Sequence, residues 1–170
     1  MKKYILTLII SSFSIIAMAQ KSTKVRLQEI EDRLALKALV DEFSILADTK
    51  DIKNQVLLFT ENAVVETSMG GQVIGSMTGR KQIGDTFGSF LANFEIVYHL
   101  NGQQTVKIDG NKATGVSYCQ VMLVGSENGK KMKTSMYVFY NDEYVFENGR
   151  WLIAKRRSNF ALQDKTAMTQ

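Results

Sequence analysis

At 170 residues, 45% of them hydrophobic, the chain supports one ordinary domain with a real core. A single cysteine excludes an internal disulfide, and one cysteine with one histidine excludes a zinc-type ligand set. The formal net charge of +4 falls to +2 once Lys2 and Lys3 are set aside with an N-terminal leader, too little to argue for nucleic acid.

That leader occupies residues 1–19. Lys2 and Lys3 form a positive start, Tyr4 to Ile16 is apolar, and Ala17-Met18-Ala19 is a small-x-small cleavage site before Gln20. The apolar run is too short to span a bilayer, and residue 20 is not a lipid-accepting cysteine. The expectation is an exported protein, periplasmic or secreted, with no stable membrane anchor.

From Thr23 the pattern is helical. Leu27, Ile30, Leu34, Leu39, Phe43 and Leu46 recur at three- and four-residue steps, and the helix is predicted to end near Asp48. Asp51 is placed to cap a second, short helix through Val56, Leu57 and Phe59. Ala63 to Ser68 and Gln72 to Met77 read as strands about a Gly70-Gly71 turn. A third helix follows Gly79, with Ile83, Phe87, Phe90 and Leu91 on one side; Gly84 and Gly88 weaken it unless they allow close packing on the sheet.

The remainder reads as strand and turn. Glu95 to Leu100 and Gln103 to Ile108 are predicted strands, continuous through a bulge at Gly102. Ala113 to Val124 follows the Asp109-Gly110-Asn111 turn. Cys119 lies within it, where a buried, inert thiol is expected. A long hairpin closes the chain: Met132 to Phe146, a turn at Asn148-Gly149, and a return from Trp151 to Arg157. Lys130, Lys131, Lys133, Arg156 and Arg157 read as solvated charge, and residues 161–170 as a frayed tail with little to bury. The sum is an α+β domain over 20–160, with helices on one face of a curved sheet. In Val121 to Val124 and Met136 to Tyr140 both alternating faces are apolar. The second face then needs cover, and a homodimer is the simplest source.

Several segments in this order resemble the SnoaL-like branch of the nuclear transport factor 2-like superfamily. They are Leu46-Ala47-Asp48-Thr49-Lys50-Asp51 with Leu58-Phe59 and Asn62-Ala63-Val64, then Gly79-Arg80-Lys81-Gln82-Ile83, and Tyr98-His99-Leu100. Further along come Ile108-Asp109-Gly110-Asn111-Lys112-Ala113, Tyr140-x-Asp142 and Gly149-Arg150-Trp151-x-Ile153. The resemblance implies a cone: a curved antiparallel sheet with about three helices on its concave face, closing a pocket. Scytalone dehydratase, bile acid dehydratase, ketosteroid isomerase and many non-catalytic proteins share this architecture, so the fold does not settle function.

By the same resemblance Asp48 and His99 match the pocket Asp and His of the dehydratases. A carboxylate beside an imidazole suits proton transfer near neutral pH. Tyr118 and Tyr137, with Tyr140 as a third choice, are the candidate donors to an enolate oxygen. Phe43, Phe59, Phe87, Phe90, Tyr140 and Trp151 are the candidate lining of a site for a small hydrophobic molecule, and Arg157 falls near the arginine of bile acid dehydratase. Two departures weigh against dehydration: Ala47 and Thr67 stand where tyrosines are expected, and Val121 to Gly125 holds no second histidine. Three readings stay open: a binding module for a small hydrophobic, possibly polycyclic, molecule, a lyase or isomerase with Asp48 as base and His99 as its acid–base partner, and a homodimeric assembly protein. No metal and no cofactor is expected in any of them.

Overall fold

The computed structural model describes the backbone of residues 2–168 and the side chains of residues 23–168. The side chains of the expected leader lie outside the described residues. Among the described residues no helix is long and apolar enough to cross a membrane.

Helix α1 spans Lys2–Asp48, and the chain divides within it into a unit up to Leu34 and a second from Ala35 onward. In the first unit Leu27, Ile30 and Leu34 are exposed, and Arg33 pairs with Glu29 one turn back. The buried stripe of α1 thus begins at Leu36 and continues through Leu39, Val40 and Phe43. After α1 come α2 (Ile52–Gln55), a 3₁₀ turn (Val56–Leu58), β1 (Phe59–Met69), β2 (Gln72–Thr78), α3 (Gly79–Leu91), β3 (Ile96–Asp109), β4 (Lys112–Glu127), β5 (Lys130–Glu147) and β6 (Arg150–Ala167).

The six strands form one curved, unclosed sheet in the order β2-β1-β6-β5-β4-β3. Every neighbouring pair is antiparallel except β1 and β6, which run parallel because α3 and the whole β3–β5 meander intervene between them. The hairpin turns follow the residues that tolerate positive φ: Asn148 and Gly149 sit at 52° and 79°, the signature of a primed two-residue turn.

Residues 161–167 are not a frayed tail. They extend β6 and pair with β5 from Leu162 opposite Tyr137 to Ala167 opposite Met132. The segment buries little, but the first half of β5 has backbone donors and acceptors on its far side, and this segment satisfies them.

Two apolar clusters form the core of the second unit. One gathers Leu36, Val40, Phe43, Phe59, Ile83, Tyr144, Trp151 and Ile153; the other gathers Ala47, Leu91, Val97, Val121, Leu123, Met136, Val138 and Tyr140. Each fully buried aliphatic or aromatic side chain contributes about 1.5–3 kcal/mol. Gly84 brings α3 close to α2 and the 3₁₀ turn rather than to the sheet: a Cβ there would lie 3.1 Å from Val56 Cγ1 and 3.5 Å from Ile52 Cγ2.

Candidate functional site

Three local devices build the site. The first is the end of α1. The Asp51 N–H reaches the Leu46 carbonyl at 2.8 Å and the Lys50 N–H the Ala47 carbonyl at 3.0 Å, with Lys50 at φ 57°. This is a Schellman ending, and it places Asp48 in the last turn of the helix. Asp51 then caps α2, its carboxylate accepting from the Asn54 N–H, and that short helix carries Gln55 inward.

The second device is the bulge in β3, where the register slips between Asn101 and Gln104. It lets three polar side chains of β3 meet one face of α1. Gln104 Nε2 donates to the Leu36 carbonyl and Asn101 Nδ2 to the Val40 carbonyl, while Ser44 Oγ donates to Asn101 Oδ1. His99 completes the series at Asp48. Its ring Nδ1 lies 2.6 Å from Asp48 Oδ1, and its backbone N–H donates to Asp48 Oδ2 at 3.2 Å.

The third device is a bulge in β6. Tyr144 pairs with Ile153 but Glu143 pairs with Lys155, so Ala154 is an extra residue. It reverses the alternation set by Trp151 and Ile153. Arg156, Ser158 and Phe160 therefore turn inward and Arg157 turns out, where its Nε donates to Glu66 at 2.7 Å. The resemblance to bile acid dehydratase had pointed to Arg157 as the pocket cation, and the bulge is why that expectation fails. Arg156, expected in solvent, is completely buried. It makes a two-pronged contact with Asp142, Nε to Oδ1 at 2.8 Å and Nη2 to Oδ2 at 2.7 Å, and Asp142 also accepts from the Tyr144 hydroxyl. Its guanidinium carbon sits 4.3 Å from the Phe43 ring centre and 4.2 Å from that of Tyr140.

Between these devices lies a cavity of about 300 Å³. Phe43, Ala47 and Gln55 line it from the helical corner, Phe87, Phe90 and Leu91 from α3, and His99, Val121, Leu123, Met136, Val138, Tyr140, Ser158 and Phe160 from the sheet. A larger depression of about 550 Å³, lined by Lys107, Glu143, Lys155 and Arg157 among others, contains neither Asp48 nor His99. The chemistry belongs with the smaller, more apolar cavity.

The expected site residues divide as follows. Asp48 and His99 are brought together; His99 lines the cavity and Asp48 stands behind it. Phe43, Phe87, Phe90 and Tyr140 line the cavity. Phe59 and Trp151 do not: Phe59 is buried beneath Phe43 and Phe87, and Trp151 packs on Phe146 in the first cluster. Tyr118 and Tyr137 are exposed on the opposite face, since their neighbours Cys119, Val121, Met136 and Val138 take the inward positions. Gln55 went unnoticed in the sequence, and Arg156 reads there as solvated charge. A signal existed for Arg156, because Asp142 in the family's Tyr-x-Asp element is its partner in register.

Burial pulls His99 below the usual histidine range. The nearby Arg156 charge adds to that pull, while the Asp48 carboxylate opposes it. Burial also raises the Tyr140 hydroxyl far above its ordinary value, so it stays protonated, and pushes the Cys119 thiol up to about 11, so it stays a thiol. Among the described residues no three His, Cys, Asp or Glu side chains gather into a set that could hold a metal ion.

Residues 28–157 match the SnoaL-like domain model. The chain belongs to the SnoaL-like family. A relative of uncharacterised function from Mycobacterium tuberculosis, Rv2910c, is 25% identical over 130 residues, covering 75% of this chain and 84% of its own. A structure from Novosphingobium aromaticivorans, provisionally described as a scytalone dehydratase, superposes with a TM-score of 0.71 at 18% identity, covering 86% of this chain and 93% of its own. A type 2 hexachlorocyclohexane dehydrochlorinase, LinA, superposes with a TM-score of 0.69 at 16% identity, covering 84% and 93%. At these identities the two structures establish the cone-shaped fold of this SnoaL-like chain, and its chemistry has to be argued from its own residues.

Proposed function

We propose that the protein is a cofactor-independent lyase or isomerase that removes a proton from a carbon of a small hydrophobic substrate. The observation that carries this reading is the His99–Asp48 contact at the wall of an open apolar cavity. A carboxylate can only accept, so the ring Nδ1 carries the hydrogen and the lone pair lies on Nε2. His99 is then the base, and Asp48 the residue that fixes its tautomer and stabilises the imidazolium. This assignment differs from the expectation that Asp48 itself takes the proton, because Asp48 does not line the cavity.

The step balances without an added reagent. Nε2 takes the proton from a carbon next to a carbonyl, and the C–H electron pair moves through the new C=C bond onto the carbonyl oxygen. Tyr140, which lines the cavity and is held protonated, is the candidate donor to that oxygen, and the Arg156 cation behind its ring favours the negative charge. Collapse of the enolate either expels a leaving group from the next carbon, a hydroxyl taking the proton from Nε2 to depart as water, which is elimination, or takes the proton back at a conjugated position, which is isomerisation. The dehydratase and dehydrochlorinase names of two structural neighbours both denote eliminations.

The test is hydrogen–deuterium exchange at the α-carbon of 2-tetralone, and of β-hydroxy and β,γ-unsaturated analogues, followed by NMR. Exchange or conversion above the buffer rate, lost in His99→Gln, supports the proposal. Rates equal to buffer with all of them, together with measurable binding, would overturn it in favour of a binding module using the same cavity.

A further inference from the structure

We propose that Gln55 is a specificity-determining residue that selects ligands bearing a hydroxyl or N–H donor. This deepens the reading above by naming what the cavity recognises, and it rests on that cavity being the ligand site. Gln55 is 1% exposed and lines the cavity. Its Nε2 donates to the Phe43 carbonyl at 3.0 Å. A carbonyl cannot donate, so this contact settles which end of the amide is which. The oxygen, Oε1, is left buried and without a partner. A buried, unpaired acceptor is costly, and a ligand that brings it a donor recovers that cost.

The other cavity groups sharpen the preference. His99 Nε2, with Nδ1 committed to Asp48, is also an acceptor. The Thr86 hydroxyl already donates to the Gln82 carbonyl. Neither Arg156 nor Arg157 lines the cavity: Arg157 is held by Glu66, and Arg156 lies behind the Phe43 and Tyr140 rings with two of its three nitrogens on Asp142. An apolar chamber with two empty acceptors favours a neutral, largely hydrophobic molecule carrying a hydroxyl over a carboxylate, which would meet Gln55 Oε1 as a like dipole. A volume near 300 Å³ suits on the order of a dozen or so non-hydrogen atoms.

Three probes of one shape separate the contributions: 2-naphthol, 2-methoxynaphthalene and 2-naphthoate, titrated by fluorescence into wild type, Gln55→Leu, Gln55→Met and His99→Ala. The expected result is about tenfold tighter binding of 2-naphthol than of the methyl ether by wild type, with 2-naphthoate weakest. That preference survives in His99→Ala and disappears in Gln55→Leu, with the methyl ether bound as before. Gln55→Met tests the same point if the leucine variant fails to fold. A wild type indifferent to the hydroxyl overturns the assignment, as does a preference that persists without Gln55 or vanishes only in His99→Ala. Binding of none of the probes removes the cavity as a ligand site and the assignment with it. Absence of turnover in the exchange assay bears on the proton-transfer reading alone, because these probes report binding.

Discussion

The Asp48 carboxylate accepts from His99 twice, from the ring Nδ1–H at 2.6 Å and from the backbone N–H at 3.2 Å. One contact sets the tautomer, and the other ties the last turn of α1 to β3 at the same residue. Asp48→Asn keeps the shape but offers an oxygen or an amide hydrogen, so the ring is free to flip its tautomer. The expected outcome is a loss of about 10²–10⁴-fold in turnover with ligand affinity within a few-fold of wild type. Steady-state kinetics beside a binding titration checks both halves.

The pH dependence has a definite sign. A base works unprotonated, and burial holds the folded His99 below its unfolded value of 6.5. The acid limb of kcat/KM should therefore fall below pH 6.5. Asp48→Asn removes the influence that opposes this shift, so its limb should move further toward acid while its ceiling drops. The same linkage makes the unfolded chain the stronger proton binder between the folded value and 6.5, so this residue's contribution to stability is full above pH 6.5 and shrinks as the pH falls through that window. A limb above pH 6.5 would count against His99 as the base.

Arg156 and Asp142 are both fully buried, and one guanidinium nitrogen, Nη1, has no partner. Asp142→Ala should destabilise the fold by about 3–5 kcal/mol, because it strands a charge in the core. Removing both charges with Asp142→Leu and Arg156→Met should cost clearly less than the sum of the two single changes. Urea denaturation of the four proteins gives the coupling directly.

The outer face of the sheet carries Tyr98, Leu100, Tyr118, Tyr137 and Leu162, all between 43% and 59% exposed. They form one patch, since Leu100 pairs with Gln120, Gln120 with Tyr137 and Tyr137 with Leu162, while the Tyr118 ring lies 5.9 Å from that of Phe139. The trough lined by Lys107 and Glu143 carries both signs of charge, which a two-fold interface can pair with itself. We propose that a second copy covers this face. Light scattering should give a dimer for wild type at micromolar concentration and a monomer for Tyr118→Lys with Tyr137→Lys. A monomeric wild type would end the idea.

Much of this protein was legible in its sequence because much of it is local. Asn148-Gly149 and Asp109-Gly110-Asn111 mark turns whose positive φ few residues tolerate, and the apolar periods of Leu39 to Leu46 and Ile83 to Leu91 mark helices. The order of these elements was enough to identify the fold, and the Asp48 and His99 segments were enough to single out the pair.

What the tertiary structure decided was which way side chains point beyond an irregularity. Alternation has a period of two, so a single extra residue reverses every position after it. At Ala154 that reversal exchanges Arg157 for Arg156, and its place depends on pairing with β5, far away in sequence. The same parity sends Tyr118 and Tyr137 to the outer face while Tyr140 faces inward. Gln55 is the extreme case. Nothing local distinguishes it from any helix-end glutamine, and only the arrival of the Phe43 carbonyl at its amide nitrogen leaves the oxygen of this cavity-lining residue buried without a partner.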